Sequence, residues 1–381
     1  MAQQSKFNLT NFMDTARTSL VFGGIFLVLV TVWQIAAKIY ANSRPKNANQ
    51  ATQTIITPDY AFGALPAITF PSQLTSVKPQ SYELAIDGVN LKKNTGWPSF
   101  GQQGIIPVYK LSPLNYSLNA ENEAQKIATN LEFPDDPKIL DSRTYLFTYP
   151  GPPLKENLEI DLKTMFVTLT TDYLTVDNIF ALTKINGERY LPDRSSAIAA
   201  VKNYLSKAGI LPTDLSDTDA TVEYAKRVGN QLELVDSILE ADFVTVSLPR
   251  KPIAGYMNDE PSTYGFFGPN NVSSIYGVVG RDYENQDVVV ELEDYYYRID
   301  TNVEGTYNLK TVADAWQSLQ AGAAYVVNPR QVKNAVIKKV ALGYYESHQE
   351  QEYLLPIYVF YGENGFLAYV QALHPNMLQS Q

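Results

Sequence analysis

No cysteine occurs among the 381 residues, and histidine occurs only twice, at His348 and His374. The first absence excludes disulfides, thiolate zinc sites, iron–sulfur clusters, cysteine nucleophiles and a lipid-modified cysteine anchor. The second leaves little to act as a general base near neutral pH. A phosphate loop, a dinucleotide fingerprint and a Gly-x-Ser-x-Gly elbow are also missing. SRPK, Ser43 to Lys46, has Ser-x-x-Lys spacing but stands in a polar stretch with no companion motif. Basic residues are scarce as well. Residues 1–53 hold five of the 30 and one of the 40 acidic residues, leaving 25 basic and 39 acidic in 54–381, a net of −14. A body so charged is repelled by phosphate backbones and anionic lipid head groups, so no nucleic-acid partner is expected.

Apolar residues are not scarce. They make up 45% of the chain, with 26 tyrosines and 16 phenylalanines, enough for a sizeable packed core. Between Arg17 and Lys38 runs TSLVFGGIFLVLVTVWQIAA, without a formal charge. At about 1.5 Å per residue such a helix spans roughly 30 Å, the thickness of bilayer hydrocarbon. Trp33 and Tyr40 fall near one interface. The run is longer than the roughly 7–15 residues of a signal-peptide core, and Lys38 interrupts the place for a cleavage site, so a retained signal anchor is expected. The expected layout is a cytoplasmic head at 1–17, a membrane helix at 18–40 in contact with lipid, a linker at 41–53 and an extracytoplasmic body. Ser19 and Gly23 would share a helix face, with Gly24 adjacent, suited to packing against a membrane or envelope protein partner.

Three helices are legible in the body. Asn119 precedes AENEAQKIATNL, with Ala124, Ile127, Ala128 and Leu131 on one stripe. SSAIAAVKNYLSKAG turns Ile198, Val201, Tyr204 and Leu205 inward and stops at Gly209. TVADAWQSLQAG opens on Thr311 and Asp314, a capping box with Asp in the usual Glu place, and turns Val312, Ala315, Trp316 and Leu319 one way. Strand patterns follow each helix, including a Gly229-Asn230 hairpin turn. The recurrent unit is a helix followed by an antiparallel meander, so the predicted class is α+β: two lobes, 54–190 and 191–381, each a helix on a sheet. The Gly-, Pro- and Asn-rich segment 249–286 reads as an insertion in the second lobe. In IYVFYGENGFLAYV, alternation places Ile357, Val359 and Tyr361 with Phe366, Ala368 and Val370 on one face, under Trp316 and Leu319. Tyr358, Phe360 and Tyr369 take the other face, which another lobe or another chain would cover.

Candidate sites are few. His348, Glu350 and Glu352 alternate and have metal-ligand chemistry, but read better as a solvated loop. Asp282, Glu284 and Asp287 lack the ligand number and central glycine of a calcium loop. A spatially assembled carboxylate pair is open to any chain with this many acids. Tyr295-Tyr296-Tyr297 offers a glycan- or peptide-binding patch, or simply alternation across a half-buried strand. Asn8, Asn115 and Asn271 head glycosylation triplets. No catalytic, cofactor-binding or metal-ligating residue is predicted.

TVADAWQSLQAG, VIKKVALGYYES and YLLPIYVFYGENGFLAYVQAL together resemble the C-terminal region of the YycH/YycI proteins, over about the last 75 residues. The resemblance implies single-pass exported regulators of a WalK-type sensor kinase, built of PepSY-like helix-on-sheet lobes and without catalytic residues. The expectation is therefore a non-enzymatic cell-envelope protein working by protein–protein contact, with a glycan- or peptide-binding module as the alternative.

Overall fold

The three amphipathic stretches form helices, two of them with a side-chain cap; Asn119 precedes the first without a side-chain capping bond. In the computed structural model, which describes residues 56–72, 79–111, 119–134, 136–151, 154–176, 191–282, 286–327 and 333–379 with the backbone of 184–185 and 188–189, they are α1 (Ala120–Asn130), α2 (Arg194–Ala208) and α3 (Val312–Gln320). Asp193 caps α2 by accepting the Ser196 N–H at 2.8 Å, and Gly209 ends it at φ 81°, a conformation that costs glycine nothing. Thr311 and Asp314 form the reciprocal capping box of α3.

Strands, numbered in chain order, dominate the rest. One nine-stranded sheet holds β1 (Ser81–Leu84), β2 (Ile105–Leu111), β12 (Ile253–Met257), β13 (Glu260–Phe267), β16 (Ile299–Asn308), β17 (Tyr325–Val326), β18 (Asn334–Tyr345), β19 (Tyr353–Gly362) and β20 (Leu367–Gln371). A second nine-stranded sheet holds β3 (Lys138–Ile139), β4 (Thr144–Tyr149), β5 (Glu156–Asp161), β6 (Val167–Thr171), β9 (Thr221–Val228), β10 (Gln231–Val235), β11 (Phe243–Leu248), β14 (Ile275–Arg281) and β15 (Asp287–Asp294). A small ribbon pairs β7 (Lys184–Ile185) with β8 (Glu188–Arg189).

This overturns the α+β reading of PepSY-like helix-on-meander lobes. The architecture is mostly β: two nine-stranded sheets, with three α-helices among the described residues. The meander expectation rests on pairing between sequence neighbours. Here the decisive pairs are distant: β15 with β6, β2 with β16 and β19, and β1 and β13 in parallel with β18. Strands from both sides of residue 190 thus enter each sheet, and residues 56–381 form one compact unit. The segment 249–286 supplies β12, β13 and β14. Its Asn258 and Asp259, both at positive φ, make the tight turn between the first two.

Helices α1 and α2 bury Ala124, Ile127, Ile198, Val201 and Leu205 against Phe147, Leu158, Leu169, Val246 and Leu292 on one face of the second sheet. On the first sheet, α3 sets Trp316 and Leu319 against Tyr358, Phe360, Ala368 and Val370. That is the opposite side of β19 from the expected one. The turn after Gly362 pairs Phe360 with Ala368 and Tyr358 with Val370, so parity changes across the loop. Ile357, Val359 and Tyr369 pack instead with Tyr325 and Tyr345, so both faces are buried within the chain.

Part of the tyrosine surplus is core. Tyr307, Tyr344, Tyr358 and Tyr369 are fully buried. Their hydroxyls donate to the carbonyls of Gly63, Pro107, Lys310 and Gly268 respectively, giving each large apolar body a satisfied polar tip.

Among the described residues no helix is long and apolar enough to cross a membrane. This conflicts with the single-pass, signal-anchored, extracytoplasmic layout expected from residues 18–40. That segment, with Ser19, Gly23 and Gly24 and the linker 41–53, lies outside the described residues.

Candidate functional site

Tyr295, Tyr296 and Tyr297 connect β15 of the second sheet to β16 of the first, outside any strand. They are neither an exposed patch nor strand alternation: each goes to a different part of the junction. Tyr297 is buried, donating to the Gln349 carbonyl at 2.8 Å and accepting the Gln351 N–H at 2.9 Å. Tyr296 lies under the guanidinium of Arg250, 4.1 Å from its ring centroid. Tyr295 stacks on His348 at 4.3 Å.

Arg250 is the centre of this junction. It ion-pairs with Asp214 at 2.7 Å and with Glu346 at 3.3 Å, and donates to the Tyr296 hydroxyl and the Tyr297 carbonyl. Asp294, also buried, accepts the Tyr296 N–H at 3.0 Å. Burial pushes the Asp294 carboxyl up to about 7; the Tyr296 N–H pulls it down and Glu346 pushes it further up. Burial likewise raises Glu346, against the pull of Arg250. A glycosidase pair needs carboxyls that reach a substrate in a cleft. Asp294 and Glu346 are sealed at 6% and 3% exposure, so they act as a clamp.

An open cleft of about 490 Å³ lies beside His348 and Tyr295, reaching Arg143, Glu159, Asp161 and Glu350. Its charges are largely matched: Arg143 with Asp161 beside the same sheet, and Arg143 and Lys163 with Glu350 from the loop after β18 of the first sheet, the latter at 2.6 Å. Burial raises Asp161, but Arg143 and the N–H groups of Thr164 and Lys163 outweigh it and hold the carboxyl below its usual range. Burial lowers His348 to about 4, so the ring is neutral, and its Nε2 is buried without a hydrogen-bond partner among the described residues.

The candidate metal residues do not converge. Glu350 faces Arg143 and Lys163, Glu352 pairs with Lys110 at 3.6 Å, and His348 faces Tyr295. Among the described residues no group of three or more potential ligands comes together. Asp282 accepts the Gln286 N–H and Asp287 pairs with Arg281, while Glu284 lies outside the described residues. His374 accepts the Asn376 N–H in a short C-terminal turn. Asn271 is exposed; Ser43 to Lys46, Asn8 and Asn115 lie outside the described residues.

The surface feature that local pattern did not single out is the end of the second sheet. Strand β10 pairs with β9 only, leaving its other side without a strand among the described residues. Leu234 in β10 is 61% exposed and Leu239 just after it 76%, with Val228 exposed on the same hairpin. Glu233, Asp236 and Glu240 are exposed beside them. Free edges in soluble proteins are blunted by charge, proline, a bulge or shortness; the five-residue QLELV has no lysine, proline or bulge, and its one charge is Glu233.

No family model matches the chain, and no curated protein matches it. Among solved structures, it is similar to the crystal structure of an uncharacterized protein from Eubacterium rectale ATCC 33656. The two are 11% identical, and the match covers 73% of this chain and 87% of that one, with a TM-score of 0.34. A likeness at that level carries no argument about function.

Proposed function

We propose that this protein acts by contact with another polypeptide, which adds a strand to the free side of β10. The carrying observation is that edge: a strand paired on one side only among the described residues, with Leu234 in it and Leu239 just after it in solvent. Main-chain bonds along β10 would supply affinity, and pockets for alternate side chains would supply selectivity. The acidic rim of Glu233, Asp236 and Glu240, with the net −14 of the body, favours a partner segment that alternates apolar and basic residues. The C-terminal resemblance to YycH/YycI regulators supports a contact-based role without naming residues for it.

The test is to pan random displayed peptides against the full chain and against a Leu234→Glu, Leu239→Glu variant. The wild type is expected to enrich alternating apolar and basic peptides that the variant fails to retain. Retention of the same peptides by a folded variant, or enrichment without that pattern, would reject this edge as the contact.

A further inference from the structure

On the helix-covered face of the second sheet, the apolar rows end in a row of polar residues. Register places Tyr149 beside Glu156 and Glu156 beside Thr171 across β4, β5 and β6, one step beyond the buried Leu158 and Leu169. An open cleft of about 810 Å³ lies here, bordered by the end of α1, one side of α2 and the start of β15. Tyr204 of α2, expected to be simple core, borders it too. Its hydroxyl is buried without a hydrogen-bond partner among the described residues.

The charges of this cleft do not cancel. Lys207 is taken by Glu132 at 2.8 Å, and Asp287 by Arg281 at 2.7 Å. Glu156 is left, half-buried, with no hydrogen bond or ion pair from a described residue. Burial raises its pKa, and Lys207 offsets this only in part. Buried polar groups are almost always partnered, and a buried carboxylate calls for a cation.

We infer that this cleft binds an alkylammonium group, donated to the Glu156 carboxylate and to the hydroxyl of Tyr204, both of which line it. An ammonium carries three donors and no acceptor, which matches the two oxygens of Glu156 and the Tyr204 hydroxyl. The exposed ring of Tyr149 adds a face toward which a cation is attracted. Guanidinium fits less well, because its planar fork needs paired acceptors in one plane. The group arrives either on a free amine or on the lysine of a peptide; the recognition chemistry is shared. This site is separate from the β10 edge and does not depend on it.

Isothermal titration of the full chain tests the inference, with spermidine as the free amine, a blocked Gly-Lys-Gly peptide as the lysine source, and blocked Gly-Gln-Gly and glucose as neutral controls. Spermidine, the lysine peptide or both should bind, and the arm that binds identifies the source. Glu156→Gln should weaken that binding at least tenfold, and Tyr204→Phe several-fold, with both variants melting cooperatively. The inference is overturned if neither amine binds, if Glu156→Gln binds as the wild type does, or if a neutral control binds as well as the amines.

Discussion

The guanidinium of Arg250 lies 3.3 Å from the carboxylate of Glu346, and both side chains are only 3% exposed. One follows β11 of the second sheet and the other follows β18 of the first, so this pair ties the two sheets together. Breaking such a pair costs more than the pair contributes, because an uncompensated charge stays behind. Arg250→Met should therefore lose about 3–5 kcal/mol in urea unfolding. Glu346→Gln should lose less, since Arg250 keeps Asp214 and the buried acid is gone. The reverse order would show that the junction is held by something other than this guanidinium.

Asp294 and His348 give opposing pH dependence. The Asp294 carboxyl is raised to about 7, so the folded state holds a proton that the unfolded chain releases near the ordinary value of 3.8. Stability from this group is present at low pH and falls as pH rises toward 7. His348 is lowered from 6.5 to about 4, so the folded state resists the proton that the unfolded chain takes up. Its contribution is lost as pH falls from 6.5 to 4. Asp294→Asn should remove the first slope and leave stability rising between pH 4 and 6.5. Melting temperatures across that range would measure it, and an unchanged profile would contradict the buried, protonated Asp294.

Gly343, in the Leu-Gly-Tyr-Tyr stretch of β18, sits where a Cβ would overlap the Phe267 ring and stand 2.7 Å from the Gly265 carbonyl oxygen. Gly265 and Gly343 are direct partners in the parallel β13–β18 ladder. Gly343→Ala should cost about 1–3 kcal/mol by forcing this ladder apart. A variant as stable as the wild type would mean that β13 can shift freely, which its register argues against.

The register of the C-terminal ribbon can be read from Trp316, whose ring lies 6.3 Å from that of Phe360. Phe360→Ala should cost about 3–5 kcal/mol and displace the indole NMR signal of Trp316. Val359→Ala, on the opposite face, should leave that signal nearly in place. Equal displacement by both would contradict the assigned faces.

What could be read along the chain was whatever depends on near neighbours. The stripes of α1, α2 and α3, the Thr311–Asp314 box, the Gly209 stop and the Gly229-Asn230 hairpin are all local, set by 3.6-residue periodicity, capping and turn chemistry. So was the apolar nature of the ribbon from Tyr353 to Leu373. The pairing of β6 with β15 and of β1 and β13 with β18 is not local, and no periodicity announces which distant strand a given strand will join. Hence the separate lobes expected from the order of elements gave way to two shared sheets. The parity of β19 against β20 was decided by the geometry of one short turn. Composition by itself made Glu156, Tyr204 and Arg250 ordinary residues among many of their kind. Only the folded chain, by withdrawing them from water and giving Arg250 partners while leaving Glu156 and Tyr204 without any among the described residues, made them different.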